Sequence, residues 1–391
     1  MSQKLWSKNF IILIFSTFVL SVSSSMLNSP LPMYVKHFGA DNTVAGLVTG
    51  LFSLSALICR PIFGNLLDRK GRKLILLFGI AIYSIIVFSY NWAASVIVLL
   101  SLRFLQGIGM SGYTTASGTV AADLIPAKRL VEGFSYYGMI QPVATAIGPM
   151  LGLTLVAGSS YPLLFDLSFL LGIAGLAAVF FINYERDDTQ QVYIKKESAN
   201  GRRENAIIER TAIPVASMMF FISFTTGTVM TFLPVYALAC GIKSIGIYFT
   251  INAAAVFLSR TFTTGLSEKF GLPRVLTAGI ALLASSMVLL SFSDSLRYFL
   301  IAAVLNGFGN GILNPVLNSL LIRFCPKERR GAANGTYFSA IDIGIGAGAV
   351  IGGSVSQTVG YAFLYLISAL SAVFAFMVFY FAIRRRITET R

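Results

Sequence analysis

Gly64-Asn65-Leu66-Leu67-Asp68-Arg69-Lys70-Gly71-Arg72-Lys73 is a short basic turn between two long apolar runs, and its pattern returns 200 residues later. A shift of 200 sets Arg60 on Arg260, Asp68 on Glu268, Arg69 on Lys269 and Gly71 on Gly271. Farther along, Gln106 meets Asn306, while Gly107, Gly109, Pro126, Arg129, Gly148 and Gly152 meet Gly307, Gly309, Pro326, Arg329, Gly348 and Gly352. A shift of 202 superposes Leu31-Pro32-Met33-Tyr34 and Gly39 on Leu233-Pro234-Val235-Tyr236 and Gly241. The chain reads as an internal duplication of a largely apolar unit.

At 391 residues, 55% hydrophobic and 12% charged, with mean hydropathy +0.76, the chain has too little polar surface for a water-soluble fold. A helix needs about 20 mostly apolar residues to cross a bilayer. Such spans fall at 9–35, 43–66, 74–92, 95–122, 130–157, 160–183, 211–239, 244–266, 274–293, 296–323, 330–357 and 359–383. The expected fold is an all-α membrane protein with twelve transmembrane helices in two parallel six-helix repeats. These occupy residues 1–183 and 211–391, the second ending in a short basic tail, with a polar linker at 184–210. Parallel repeats related by an axis along the membrane normal place a substrate site between them near the midplane. The first span is too long for a cleaved signal peptide and runs into Pro30 and Pro32 without a small-residue cleavage site.

The net charge of +14 is spread in short clusters between spans rather than on one compact face, so the expected partner is the lipid bilayer and not nucleic acid. Of the 30 Lys and Arg residues, 24 sit at one set of span ends, and the opposite ends hold only Lys36, Lys243 and Arg297. The positive-inside rule then puts both termini in the cytoplasm. Cys59, Cys240 and Cys325 are odd in number and lack ligand spacing, and His37 is the single histidine, so no metal site is indicated. No cofactor motif is read either. Gly107-Ile108-Gly109-Met110-Ser111-Gly112 fits GxGxxG without a βαβ context, and reads as helix packing. No Walker sequence appears, so a gradient is the expected energy source.

Residues 64–73 resemble the signature of the major facilitator superfamily between its second and third helices, and the resemblance extends over essentially the whole chain. Arg103 with Gln106-Gly107-Ile108-Gly109 is similar to the second signature, whose intramembrane arginine is associated with proton coupling. Ala144-Thr145-Ala146-Ile147-Gly148-Pro149-Met150-Leu151-Gly152 is similar to the signature of exporters that exchange substrate against protons. The resemblance implies a multi-pass transporter of the bacterial cytoplasmic membrane, of the twelve-helix drug and metabolite efflux type. It also implies a cytoplasmic gate built from Gly64, Asp68, Arg69, Gly71 and Arg72, with Asp68 against the positive end of the eleventh helix near Gly331. Gly148, Pro149 and Gly152 would form the interface of the fifth helix, and Gly344, Gly348 and Gly352 permit close helix approach at a moving interface.

Arg103 lies within the fourth span, where a cation costs at least about 2.5 kcal/mol unless it faces the bundle interior or finds a partner. Gln106, Met110, Tyr113 and Thr114 share its helix face. The competing reading is a helix-pinning arginine bonded to carbonyls. Asp342 is the only acid deep inside a span. A low dielectric disfavours its ionised form, which suits a carboxyl that loads and releases protons; a permanent salt bridge is the alternative. Asp342 and Arg103 are thus the proton-coupling candidates.

Asn306, Asn310, Asn314 and Asn318 recur every four residues on the tenth span, with Pro315 among them. They line a wet cavity or hold helices together. The substrate-cavity set is Asn28, Gln106, Met110, Tyr113, Tyr137, Gln141, Thr226, Met230, Asn306, Asn310 and Asn314. Together these residues describe a monomeric, proton-coupled secondary transporter, binding a small amphipathic molecule and exporting it by alternating access. The first span carries no acid, so a neutral, zwitterionic or anionic cargo is as open as a cationic one. A proton-coupled importer of a sugar or other metabolite is the alternative. A membrane enzyme or lipid-handling protein is disfavoured by the scarcity of intramembrane nucleophile and acid–base pairs.

Overall fold

The computed structural model describes residues 5–126, 129–158, 161–182, 209–326 and 329–389. Of the linker expected at 184–210, only Glu209 and Arg210 lie within the described residues. The first six long helices are α1 (Lys8–Asn28), α2 (Asn42–Lys70), α3 (Arg72–Ser89), α4 (Val96–Leu124), α5 (Leu130–Ala157) and α6 (Tyr161–Phe180). The next six are α7 (Ile213–Ala239), α8 (Gly246–Phe270), α9 (Leu272–Ser291), α10 (Leu296–Phe324), α11 (Arg330–Thr358) and α12 (Tyr361–Val378). Eleven of the helices are long and apolar enough to cross a membrane. The other, α8, has sufficient length at 25 residues, but Arg260, Glu268, Lys269 and its Ser and Thr side chains dilute its apolar character.

Local signals set the helix ends. Asp41 caps α2 by accepting from the Val44 N–H at 2.9 Å, and Ser7 does the same for α1 through Phe10 at 3.2 Å. Gly71 and Gly271 have φ of 91° and 81° at the turns after α2 and α8, a backbone region that side chains disfavour. Gly39 and Gly241, equivalent under the 202-residue shift, have φ of 72° and 78°. Two left-handed turns therefore recur in each half at matching places.

Packing repeats as well. In the first half α1 lies against α5 and α6, α4 against α2 and α3, and α3 against α6. The second half repeats the pattern: α7 lies against α11 and α12, α10 against α8 and α9, and α9 against α12. Each set buries its own apolar core, one around Leu20, Tyr83 and Phe165 and the other around Met218, Leu283 and Phe299. Outward-facing side chains such as Ile97 and Phe381, 77% and 76% exposed, suit a hydrocarbon surrounding. Glycine makes the tightest crossings possible: a Cβ on Gly109 would sit 3.0 Å from the Gly79 carbonyl oxygen, and one on Gly309 equally 3.0 Å from that of Gly279.

Across the two halves, α2 packs on α11 and α5 on α8. Lys8, Lys70, Arg72, Arg129, Arg329 and Arg384 lie at one end of the bundle, its basic end.

Candidate functional site

Cross-half contacts gather at the end opposite the basic one. A Cβ on Gly46 of α2 would lie 2.2 Å from the Ala349 carbonyl oxygen of α11, and one on Gly50 would lie 2.4 Å from a Val350 methyl. The Ser29 hydroxyl donates to the Met230 carbonyl at 3.1 Å, and the Thr231 hydroxyl to that of Thr49 at 3.0 Å. The Asn42 N–H donates to Gln357 Oε1 at 3.0 Å, and the Tyr361 hydroxyl to Asn42 Oδ1 at 3.1 Å. Between α5 and α8, the Thr250 hydroxyl reaches the Met150 sulfur at 3.1 Å. Toward the basic end the same faces part. Gly64 continues the Gly46–Gly50 face of α2, Gly335 continues the α11 face opposite, and a Cβ on either would meet open space. The halves thus close at one end and separate toward the other.

Arg60 and Asp342 bridge α2 and α11 where this separation begins. Arg60 Nε donates to Asp342 Oδ2 at 2.6 Å and Nη2 to Oδ1 at 3.3 Å, a fork-on-carboxylate geometry. The side chains are 28% and 13% exposed. Asp342, expected as the only acid deep inside a span with a salt bridge as the alternative reading, therefore has a partner whose identity its sequence position did not reveal. The reason is tertiary, because the two residues are 282 apart in sequence and meet only through the contact between halves.

Arg103 is buried at 1% exposure. Its Nε donates to the Val48 carbonyl at 3.1 Å, Nη1 to Gln106 Oε1 at 2.7 Å and Nη2 to Asn28 Oδ1 at 3.1 Å. The guanidinium carbon stands 4.4 Å from the centroid of Phe52, a cation–π contact. The Tyr90 hydroxyl also donates to Gln106 Oε1, at 2.7 Å. Neutral oxygens and a ring hold this cation, and among the described residues no carboxylate bonds it. Arg103 and Asp342 do not form one unit. By helical rise Arg103 lies about 10 Å and Asp342 about 24 Å below the closed end.

The cavity candidates divide into groups. Asn28 and Gln106 are joined through Arg103, with Gln106 fully buried in this conformation. Asn306 Oδ1 accepts from Asn252 of α8 at 2.9 Å and from Asn310 at 3.1 Å, and the Asn314 amide donates to the Asn310 carbonyl at 2.9 Å. This amide ladder includes Asn252, which the spacing on α10 alone could not supply. Tyr113 is buried with its hydroxyl on the Thr17 carbonyl at 3.2 Å, and Tyr137 shares a 2.9 Å hydrogen bond with Ser117. Met110, Thr226 and Met230 are half-buried and Gln141 is exposed.

Gly148 and Gly152 pack within their own half. A Cβ on Gly148 would fall 2.4 Å from Ser25 Cβ, and one on Gly152 would fall 2.1 Å from the Met26 carbonyl of α1. Pro149 between them is buried. The side of α5 turned to the other half carries Met150 and Leu153 instead. Gly344 and Gly348 likewise meet Phe220 and Phe224 of α7 in their own half, and the glycines where α2 meets α11 are Gly46, Gly50, Gly346 and Gly353. At the expected gate, Gly71 forms its left-handed turn and Arg72 pairs with Asp123 of α4. The side chains of Asp68 and Arg69 lie outside the described residues.

Two six-helix units, joined at one end and parted at the other around buried arginines, an acid and amides, define a membrane transporter by fold and site. A family profile described as Major Facilitator Superfamily matches residues 13–243 and 215–391, and the chain belongs to that family. It is similar to the staphylopine export protein of Staphylococcus aureus, 24% identical over 93% of both chains. The multidrug resistance protein MdtG of Yersinia enterocolitica is 24% identical over 97% of this chain and 94% of its own. A homolog of the multi-drug resistance efflux pump PmrA from Lactococcus lactis is 26% identical over 91% and 90%. Among solved structures, a bacterial homolog of the human lysosomal transporter Spinster, in an inward-facing and occupied conformation, aligns with TM-score 0.78 and 16% identity over 98% of both chains, a likeness of fold. The protein is a multi-pass cell-membrane transporter with drug and metabolite efflux relatives.

Proposed function

We infer that the protein exports a small amphipathic drug or metabolite from the cytoplasm in exchange for protons, working as a monomer by alternating access. The carrying observation is the one-sided closure of the halves, with the Arg60–Asp342 bridge standing where they begin to part. With the basic end cytoplasmic, as the charge distribution supports, this is the inward-open conformation. Residues 1–183 and 211–391 act as the two rocking bodies about the 184–210 linker. The cavity between them opens toward the side from which a cytoplasmic cargo arrives.

The bridge requires an ionised Asp342. When the halves rock to the outward-open form the bridge opens, and the freed Asp342 carboxylate takes a proton from the external side, which cancels the charge that would hold Arg60. Return to the inward-open form re-forms the bridge and leaves the proton on the cytoplasmic side. Arg103, held by neutral groups, keeps its charge throughout and orders the closed end of the first half. Asn28, Gln106, Met110, Tyr113, Tyr137, Gln141, Thr226, Met230, Asn306, Asn310 and Asn314 are the proposed cargo-facing set, with Gln106 and Tyr113 entering it only after the halves move. Gly64, Asp68, Arg69, Gly71 and Arg72 form the gate that closes the basic end. Gly148, Pro149 and Gly152 fix the fifth helix to the first, so that both rock together.

Transport in proteoliposomes across a compound panel, with an imposed pH gradient, tests the reading. Proton entry that drives accumulation of a cargo on the opposite side is expected. Cargo moving with the protons would favour import instead, and conversion to a different compound would favour an enzyme.

A further inference from the structure

Three arginines, Arg60, Arg103 and Arg260, lie well inside membrane-spanning helices. Two have their charge answered within the protein: Arg60 by the carboxylate of Asp342, and Arg103 by three oxygens and a ring. Arg260 makes no hydrogen bond or ion pair among the described residues, and its Nε is buried without a partner. It lies ten residues from Phe270, about 15 Å along α8 from the basic end, too deep for its charge to rest among lipid headgroups.

The internal duplication shows what is missing. Arg260 stands 200 residues after Arg60, on the face of α8 that meets α5, just as Arg60 stands on the face of α2 that meets α11. Gly246 and Thr250 make the α5 contact as Gly46 and Gly50 make the α11 contact. The position on α5 equivalent to Asp342 is Pro142, which carries no charge. At these two equivalent positions the molecule therefore holds an arginine–carboxylate pair on one side and, across its pseudo-symmetry axis, the same arginine with no carboxylate among the described residues. A guanidinium presents a planar fork of donors that fits a carboxylate in two parallel bonds. We propose that Arg260 is an anion-recognition position in the transport cavity, and that it binds a carboxylate carried by the cargo. The proposal rests on the reading of a cavity between two halves, and narrows the cargo to amphipathic molecules bearing a carboxylate.

The test is a binding measurement independent of gradient and direction. A panel of dansyl amino acids and their methyl esters is titrated, by fluorescence, into the full-length protein in neutral detergent, with and without added anionic lipid. The wild type is expected to bind at least one acid tenfold or more tighter than its ester, without lipid. Arg260→Gln should bring acid and ester to equal affinity with the ester unchanged, and Arg260→Lys should leave an intermediate preference. Pro142→Asp, which supplies the missing internal carboxylate and keeps Arg260, should also erase the acid preference; this keeps the test valid if Arg260→Gln is poorly folded by thermal unfolding. Equal affinity for acids and esters in the wild type, or a preference that survives both Arg260→Gln and Pro142→Asp, overturns the proposal. So does a preference that appears only with anionic lipid, because the anion would then come from the membrane. An acid preference that depends on Arg260 in a protein showing no proton-driven export would leave this site standing and remove the transport reading alone.

Discussion

Replacing Asp342 with asparagine keeps the side chain's size and one oxygen acceptor, and removes the charge that holds Arg60. The pair has one short bond at 2.6 Å and one at 3.3 Å, with most of both side chains shielded from solvent. A hydrogen bond to a charged group contributes about 1.5–3 kcal/mol, and one strong bond of that kind is the fair allowance here. At about 1.4 kcal/mol per factor of ten, losing it shifts an equilibrium that depends on the bridge by about 10- to 150-fold. Asp342→Asn also leaves Arg60 without its anion, so Arg60→Gln together with Asp342→Asn should be less damaged than the sum of the two single changes, with a coupling of about 1–3 kcal/mol. The assays are thermal unfolding of the four proteins in detergent and proteoliposome transport under an imposed pH gradient. Asp342→Asn is expected to keep downhill exchange and lose its response to the gradient. Uphill transport at the wild-type rate would refute the role of the carboxyl, and additive unfolding effects would refute the energetic coupling.

At the closed end, Gly46→Val forces a side chain against the Ala349 carbonyl, which a Cβ alone would approach to 2.2 Å. Overpacking of that kind costs about 1–3 kcal/mol, so the variant should favour the conformation opened at that end, read as faster alkylation of a cysteine placed at Thr49 in a background without Cys59, Cys240 and Cys325. Gly152→Leu should separate α5 from α1 and lower the unfolding temperature, because the Met26 carbonyl stands 2.1 Å from any Cβ there; unchanged thermal unfolding would count against that packing. Glu209, just before α7, accepts from the Thr211 N–H and hydroxyl and from Arg329 at the start of α11, and these bonds hold its carboxyl below the usual glutamate range. The tether's stabilisation is therefore present above that range and lost as pH falls through the lowered value. Glu209→Gln should destabilise at neutral pH and show a smaller further loss on acidification, measured as unfolding temperature against pH.

Much of the architecture was legible from the chain because its causes are local. Apolar length predicts each span, and α8 alone among the twelve helices falls short of a membrane span's apolar character, through polar and charged residues already visible in the sequence. The paired left-handed glycines Gly71 and Gly271 were marked by the 200-residue shift. The candidate site was less legible. Asp342 stood out as a deep acid, but Arg60 did not stand out as its partner, and Gly148 and Gly152 signalled close packing without saying that the neighbour was α1. Spacing on α10 found three rungs of the amide ladder and missed Asn252, which joins from a different helix.

The sequence by itself determined where helices begin and end, which ends carry the positive charge and that the unit is duplicated. Each of those follows from composition within one or two turns, or from comparing the chain with itself. Only the tertiary structure decided which polar side chains are spent on one another. Among the described residues Arg60 meets a carboxylate and Arg260 does not, although their local sequences are matched by the repeat. The difference comes from the residue that the opposite half presents, an aspartate in α11 and a proline in α5, and that depends on how two separately packed bundles are set against each other.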